Sequence, residues 1–310
     1  MIIIGLIRIL NRLIEFLKNL LVYLSPNVAK INLVGNQVKL INTSKDNLTR
    51  ILVKENGVWE EDELKLFSII ISGITTFIDI GANIGLYSIL AEKCNPSLKS
   101  YSFEPSPANA KRMKENLKLN EIINCTIIEN VIGDKNEMIS FFVPSDKSST
   151  SVSSTSEAFT SSWHNDLIEL SVKQITLDSF IKEYSIERVD LIKLDAEYHE
   201  LNVLNGAKEL FQMYKPAVLC EVNIYEILTY YLPTMKNKIS KTLSYDIENF
   251  FKDINYNIYS IGKDGIMRVD GIHLHPDVRN FLFSPVKSKL LFIPYSNKAD
   301  IINIVAKGNI

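Results

Sequence analysis

From residue 76 to residue 222 the sequence alternates short apolar segments with segments of helical spacing. Parallel strands need a crossover connection, usually a helix, so this alternation predicts an α/β fold. We expect a mostly parallel sheet with helices on both faces, and a ligand site beyond the carboxyl ends of the strands. The predicted strands are Thr76–Ile80, Lys99–Phe103, Thr126–Val131, Met138–Val143, Val189–Leu194 and Ala217–Val222.

The turn after the first of these strands reads Asp79-Ile80-Gly81-Ala82-Asn83-Ile84-Gly85. Glycines bracket it because a tight turn needs their torsions and a ligand must approach the backbone without a Cβ in its way. The following helix presents unpaired N–H groups to polar ligand atoms. An acid before the turn would repel a pyrophosphate but suits the amino group and positive sulfonium of S-adenosylmethionine. The candidate cofactor-binding residues here are Asp79, Gly81, Ala82, Asn83 and Gly85.

Two later acids extend this candidate cofactor site. Glu104, followed by Pro105, ends the next predicted strand 23 positions after Gly81. An acid roughly 20 residues beyond such a turn accepts hydrogen bonds from ribose hydroxyls. Asp134 follows Gly133 after the third strand, and it is predicted either to reach the adenine edge or to be a plain turn residue.

These segments resemble, in this order, the motifs of the FkbM-type methyltransferase family. The family reads Asp-[Val/Ile]-Gly-Ala-Asn-Ile-Gly, then Phe-Glu-Pro, Thr-Leu-Asp and Lys-Ile-Asp-x-Glu-Gly-x-Glu. Here the last two motifs are Thr176-Leu177-Asp178 and Lys193-Leu194-Asp195-Ala196-Glu197-Tyr198-His199-Glu200. The resemblance covers about Trp59 to Glu221 and implies a Rossmann-like class I methyltransferase fold with a seven-stranded sheet. It also implies S-adenosylmethionine as the methyl donor and acceptors that are mostly hydroxyl groups on sugars and polyketide-like molecules.

Tyr198 departs from the family pattern, which has glycine at that position. A large ring there would reshape the acceptor pocket or force a different turn. The departure therefore concerns the acceptor and leaves the cofactor assignment unchanged.

The acceptor end is predicted around the last motif. Methyl transfer to a hydroxyl group needs an aligned oxygen and a group that manages its proton. The candidate catalytic residues are Asp195, Glu197 and His199, joined by Glu221 at the end of the next strand. The same side chains could instead hold Mg²⁺, although a metal is not the favoured interpretation. His199 is either a base or a solvated residue at a helix start.

The predicted activity is O-methylation of a carbohydrate or related hydroxyl acceptor, small molecule or glycan, by S-adenosylmethionine. The alternatives are methylation of a nitrogen or a carboxylate, and a catalytically silent module that only binds the cofactor. The net charge of −2 gives no electrostatic reason to expect nucleic acid as a partner. Three widely spaced cysteines fit a reducing compartment and favour neither a disulfide framework nor a zinc site.

The predicted organisation is an N-terminal helix (1–25), a small β extension (26–58) and a methyltransferase domain (59–310). Residues 2–24 are apolar but interrupted by charges, which predicts an amphipathic helix rather than a bilayer span or a signal peptide. Three placements of that helix are compatible with its sequence: packing on the rest of the protein, a contact in a homo-oligomer, or binding to a membrane surface. We therefore expect a cytoplasmic protein, with peripheral attachment to the inner membrane face as the alternative.

Other elements are predicted from periodicity and turn residues. They are a hairpin over Lys30–Leu40, a strand over Arg50–Lys54, helices over Glu60–Ile71, Gly85–Lys93, Leu177–Tyr184, Glu200–Met213 and Tyr245–Asp253, a helix starting at Ser106-Pro107, a loop over Ser145–Ser162, and strands near Asn257–Ile261 and Leu290–Pro294.

Overall fold

The computed structural model describes residues 10, 13, 27–42, 47–58, 60–146, 152–222, 242–262, 265–272 and 279–286. Most of the predicted N-terminal helix and the strand predicted near Leu290–Pro294 lie outside these residues. Leu10 and Leu13 are helical and exposed. No helix among the described residues has the length and apolar character needed to cross a membrane.

The described chain contains strands and helices in the following order. The strands are β1 (Val28–Leu33), β2 (Asn36–Ile41), β3 (Thr76–Ile80), β4 (Lys99–Phe103), β5 (Cys125–Ile128), β6 (Val131–Ile132), β7 (Glu137–Pro144), β8 (Leu167–Ile175), β9 (Leu191–Leu194), β10 (Ala217–Glu221), β11 (Tyr256–Gly262), β12 (Gly265–Val269) and β13 (Asn280–Pro285). The helices are α1 (Asn47–Lys54), α2 (Glu61–Ile71), α3 (Leu86–Cys94), α4 (Pro107–Leu119), α5 (Glu157–Trp163), α6 (Leu177–Glu183), α7 (Glu200–Asn205), α8 (Lys208–Tyr214) and α9 (Leu243–Asp253).

The main sheet has the strand order β5-β4-β3-β9-β10-β13-β11-β12. Strands β5, β4, β3, β9 and β10 are parallel, β13 is antiparallel to both of its neighbours, and β12 is antiparallel to β11. The predicted α/β fold is confirmed, but the main sheet described has eight strands rather than seven. The additional strand, β12, returns from β11 as a hairpin and ends the sheet.

The strand order reverses on either side of β3. The chain runs outward from β3 to β4 and β5, and it later returns to place β9 on the other side of β3. Ile80 is in register with both Phe103 and Leu194, so these three strands end at one edge. A crevice at such a reversal is the usual ligand site of an open α/β sheet.

Two apolar clusters fill the two faces of this sheet. One contains buried residues of α2, α3 and α4, and the other contains those of α6, α7, α8 and α9. Leu33, Leu40 and Leu52 belong to the first cluster together with Phe67. The β1-β2 hairpin and α1 therefore pack on the first face, while the division into domains stays a prediction.

Several element predictions were wrong where tertiary contacts decide the outcome. Arg50–Lys54 is part of α1, because Leu52 is buried against the first cluster and five residues are too few to show a period. The predicted Glu200–Met213 helix is two helices, interrupted at Gly206. A Cβ on Gly206 would lie 1.9 Å from the carbonyl oxygen of Gly133, so only glycine fits at this position.

A separate three-stranded sheet, β6-β8-β7, lies outside the main one. The predicted strand Thr126–Val131 is divided between β5 in the main sheet and β6 in this one. β7 confirms the Met138–Val143 strand, while β8 was not predicted, because its exposed positions interrupt the apolar pattern. The predicted Ser145–Ser162 loop contains most of α5, whose cap is the Ser156 side chain.

Candidate active site

The turn that follows β3 has the left-handed backbone that its glycines allow. Gly81 has φ +80, and a Cβ there would lie 1.9 Å from the carbonyl oxygen of Asp195. Gly85 has φ +84, and a Cβ there would lie 2.8 Å from Met113. The N–H groups of Gly81 and Ala82 both donate to the Phe103 carbonyl at 3.0 Å. The turn is therefore fixed against the ends of β4 and β9.

Glu104 joins this turn to the start of α4. Its Oε2 accepts a hydrogen bond from the Asn83 N–H at 2.8 Å, and its Oε1 accepts one from the Ser106 N–H at 2.8 Å. Burial raises the pKa of Glu104 to about 7, although both backbone donors favour the ionised form. Each carboxylate oxygen has a second lone pair, so Glu104 can still accept from a ligand.

One cleft runs along this edge of the sheet. It is lined by Leu48, Ile80, Gly81, Ala82, Asn83, Ile84, Leu86, Tyr87, Phe103, Glu104, Pro105, Asn109, Asn130, Val131, Ile132, Phe141, Val152, Ser153, Thr155, Asp195, Ala196, Glu197 and His199. The structure thus brings together eight of the predicted site residues, namely Gly81, Ala82, Asn83, Glu104, Pro105, Asp195, Glu197 and His199. The predicted residues Asp79, Gly85, Asp134 and Glu221 are not among the lining residues.

Asp79 lies beneath the turn rather than in the cleft. Its side chain is buried and accepts a hydrogen bond from the Ser88 hydroxyl at 2.6 Å. Burial raises the pKa of Asp79 to about 6, while the Ser88 hydrogen bond opposes that shift. In this structure Asp79 contacts Ser88 of α3 and so holds the end of β3 onto that helix, and its contact with the cofactor stays a prediction.

Asp195 and Glu197 are the acidic groups of the cleft. Asp195 follows β9, and its N–H donates to the Ile80 carbonyl at 3.0 Å. The pKa of Glu197 is raised by burial and by the neighbouring carboxylates, of which Asp195 has the largest effect. Both acids are half-buried, and the Asp195 side chain is about one third exposed.

A buried ion cluster that the sequence did not reveal lies next to Asp195. The Lys193 ammonium is 3.5 Å from Glu63 Oε1, 3.9 Å from Asp195 Oδ2 and 5.1 Å from the centre of the Tyr87 ring. The Tyr87 hydroxyl donates to Glu63 Oε1 at 2.6 Å. Burial alone lowers the pKa of Lys193, but the carboxylates around it, above all Glu63, raise it well above its usual value. Asp195 therefore has a permanent cation beside it.

His199 lines the cleft with both ring nitrogens already hydrogen-bonded. Nδ1 is 3.0 Å from Thr155 Oγ1, and Nε2 is 3.1 Å from Gln174 Oε1. Burial lowers the pKa of His199 to about 4, so the ring is neutral near pH 7. A base needs a free lone pair and an affinity for protons near the working pH. This arrangement favours a positioning role for His199 over the predicted proton transfer.

Tyr198 has φ +80, a value that suits glycine. The left-handed region costs a side-chain-bearing residue roughly 1–2 kcal/mol. The Tyr198 ring stacks on Phe159 with 5.8 Å between centroids and 19° between planes. The departure from the family pattern therefore keeps the glycine-like turn and adds an aromatic contact to α5.

Glu221 and Asp134 flank the cleft without lining it. Glu221 ends β10 and is 3.4 Å from the Arg279 guanidinium, and its burial raises its pKa to about 7. Asn130, Val131 and Ile132, which precede Asp134, do line the cleft. Within the described residues no group of three or more His, Cys, Asp or Glu side chains is arranged to hold a metal ion.

Comparison with known proteins places these features in context. The profile of the methyltransferase FkbM domain matches residues 79–282, about two thirds of the chain. The methyltransferase sdnD of Sordaria araneosa is 27% identical in an alignment 160 residues long, and the match covers 43% of this chain and 60% of that protein. The chain thus matches less than two thirds of that relative.

Two solved structures show a distant likeness. An FkbM methyltransferase from Methylobacillus flagellatus KT is 17% identical with a TM-score of 0.42, and the match covers 68% of this chain and 43% of that one. An O-methyltransferase from Bacillus cereus, solved in complex with SAH, is 13% identical with a TM-score of 0.40 over 72% of this chain and 80% of that one. At these scores the α/β fold rests on the strand order described above.

Proposed function

The chain belongs to the FkbM methyltransferase family, and on that premise we propose that it transfers the methyl group of S-adenosylmethionine to an oxygen acceptor. The observation that carries this proposal is the single cleft in which the turn after β3, the Glu104 carboxylate and the Asp195 carboxylate meet. Those groups match what a nucleoside-bearing donor and a hydroxyl acceptor each require.

The residues of the cleft fit the proposed cofactor. Glu104 is positioned to accept hydrogen bonds from the two ribose hydroxyls, and the apolar side chains of Val131 and Ile132 offer a surface for a purine ring. Asn83 Oδ1 is buried and accepts no hydrogen bond within the described part of the chain. Such an unpaired acceptor suits a ligand that brings donors, as an amino group does.

The donor supplies an activated methyl group on a sulfonium, and the protein must orient the acceptor and manage its proton. We assign the latter task to Asp195. Its carboxylate reaches the cleft, whereas His199 is neutral and committed at both nitrogens. The Lys193 ammonium lies 3.9 Å from the Asp195 carboxylate.

The charge of this end of the cleft bears on the acceptor class. Asp195 and Glu197 both line it and no Lys or Arg side chain of the described residues does, so the cleft offers no cation to pair with an acceptor that is itself a carboxylate. Carboxylates accept hydrogen bonds from hydroxyl groups, which carbohydrates present in sets. We therefore propose a neutral, polyhydroxylated acceptor and retain an amine as the alternative.

The test measures the release of S-adenosylhomocysteine by the purified full chain in the presence of three separate acceptor panels. The first panel contains free and nucleotide-linked sugars, the second contains amines, and the third contains carboxylates. We expect turnover with the sugars only, and Asp195→Asn should abolish it while the cofactor dissociation constant changes less than about threefold. Turnover confined to amines would replace the oxygen acceptor with nitrogen. Cofactor binding without turnover on any panel would support a silent binding module, and no cofactor binding would refute the proposal.

A further inference from the structure

We propose that residues 152–160, here called the strap, complete the pocket for the nucleoside end of the cofactor, with Tyr198 and His199 as its anchors. This inference rests on the proposed function, because it assumes that the cleft holds S-adenosylmethionine. Val152, Ser153 and Thr155 of the strap line the cleft together with Asn83 and Glu104. A ligand that fills the cleft therefore contacts a segment that composition alone marks as a Ser/Thr-rich loop.

Two contacts hold the strap to the turn that follows Asp195. The Ser154 hydroxyl donates to the Glu197 carbonyl at 2.6 Å, and the Phe159 ring stacks on Tyr198. Ser154 is 1% exposed and Phe159 is 2% exposed, so both contacts are closed to solvent. The strap is consequently a packed part of the site, although its composition resembles that of a surface loop.

A chain of hydrogen bonds then connects the strap to the other side of the cleft. Because Gln174 Oε1 can only accept, His199 Nε2 carries the proton and His199 Nδ1 accepts from the Thr155 hydroxyl. Gln174 Nε2 in turn donates to the Lys135 carbonyl at 3.1 Å. Each group thus donates one hydrogen bond to the next, from Thr155 through His199 and Gln174 to Lys135, so the network from the strap to the segment after β6 is fully hydrogen-bonded.

The far end of this network adjoins the part of the cleft expected to hold adenine. A Cβ on Gly133 would lie 2.2 Å from Gln174 Oε1, so Gln174 packs directly on the backbone of that segment. Val131 and Ile132, just before Gly133, line the cleft. The strap and the adenine segment are thus held in one arrangement through His199. The lowered pKa of His199 keeps the ring neutral, so this arrangement persists near pH 7.

Tyr198 has a specific purpose in this scheme. With φ +80 its backbone is one that glycine adopts more readily, so the residue is kept in place by what its ring contacts. One of these contacts is with Phe159 of the strap, and the ring also packs against the second apolar cluster. The substitution Tyr198→Gly should therefore leave the turn intact while releasing the strap.

The experiment measures binding of S-adenosylhomocysteine and of adenosine to the full chain by calorimetry. The variants are Tyr198→Gly and Thr155→Val, with Tyr198→Phe as the conservative variant that keeps the ring. Trp163→Ala is the matched control, because Trp163 is on α5 beyond the strap and 48% exposed. Hydrogen exchange of the strap is followed in the same proteins without ligand, and melting temperature reports folding.

We expect Tyr198→Gly and Thr155→Val each to weaken both ligands about three- to tenfold, the range for one lost stacking or hydrogen-bonding contact. Equal factors for adenosine and S-adenosylhomocysteine are expected if the loss is at the nucleoside end. Strap exchange should rise in both variants, without a fall in melting temperature for Tyr198→Gly. Trp163→Ala should match the unmodified protein, and Tyr198→Phe, which keeps the stacked ring, should weaken both ligands less than Tyr198→Gly does.

Unchanged affinities in both variants, or a loss restricted to S-adenosylhomocysteine, would overturn the inference. Strap exchange in the unmodified ligand-free protein as fast as that of an unstructured peptide would do so as well. If the unmodified protein binds neither ligand, the proposed function is refuted instead. Hydrogen exchange in the ligand-free proteins then shows independently whether Tyr198 and Thr155 hold the strap in place.

Discussion

Replacing Lys193 with methionine is expected to lower the free energy of unfolding by about 2–4 kcal/mol at neutral pH. The Lys193 side chain is 2% exposed and the Glu63 side chain is 3% exposed, with 3.5 Å between the ammonium and Oε1. Coulomb's law at that distance, with an effective dielectric constant of about 20, gives an attraction of about 5 kcal/mol. Both charges lose hydration on folding, so the net loss is smaller than this attraction.

The loss arises mainly from the partner that is left behind. Without the ammonium, the Glu63 carboxyl group would be buried with the Tyr87 hydroxyl as donor and no cation beside it. Removing one partner of a buried ion pair costs more than the pair contributes, because the remaining group keeps its desolvation penalty without compensation.

Urea denaturation of the full chain at neutral pH measures this loss. The matched control is Lys193→Met combined with Glu63→Gln, which removes both partners of the ion pair together. We expect this double variant to lie within about 1 kcal/mol of the unmodified protein. A loss below about 1 kcal/mol in the single variant, or a double variant as unstable as the single one, would refute the reasoning.

Three further substitutions test the cofactor turn and the buried acids. Gly81→Ala should lower the free energy of unfolding by more than about 3 kcal/mol, because its Cβ would lie 1.9 Å from the Asp195 carbonyl oxygen. The control Gly35→Ala has φ +82 and no atom within 4 Å of its Cβ, so it should lower the free energy of unfolding by about 1–2 kcal/mol from backbone strain alone. Equal losses in thermal denaturation would contradict the clash. Glu104→Gln should weaken S-adenosylhomocysteine binding about tenfold or more, because a neutral amide accepts hydroxyl hydrogen bonds less strongly, and unchanged affinity by calorimetry would remove Glu104 from the site. Burial raises the pKa of Glu200 to about 8, so the folded protein binds a proton that the unfolded chain releases, and the free energy of unfolding should fall between about pH 5 and about pH 8. Glu200→Gln resembles the protonated acid and should flatten that fall, so an unchanged slope would show that Glu200 is not its source.

Local signals in the sequence were sufficient for the strands and caps around the cofactor turn. β3 and β4 have the predicted bounds, and Ser106 caps α4 with Pro107 at its first position. These elements were predictable because their signals, apolar runs and capping residues, act over a few neighbouring residues. β8 escaped prediction because it is stabilised by pairing with β7 over eight residue pairs and not by its own apolar pattern.

The meeting of the residues proposed to bind the donor could be predicted from the sequence itself. Gly81, Asn83 and Glu104 occupy a short stretch of chain, and the geometry of a strand, a tight turn and a helix leaves little freedom in where they meet. The sequence also indicated that Asp195 and Glu197 would join them, because parallel strands end at one edge of the sheet.

The ion pairs and hydrogen bonds at the proposed acceptor end were decided by the tertiary structure. Lys193 gains its partner Glu63 from a helix 130 positions earlier in the chain, and His199 gains Thr155 and Gln174 from two other elements. Whether an ionisable side chain is charged depends on its burial and on groups within a few ångströms. Those neighbours come from distant parts of the chain, so the sequence identified the acidic and basic residues, while only the fold showed which of them are buried, ion-paired or hydrogen-bonded.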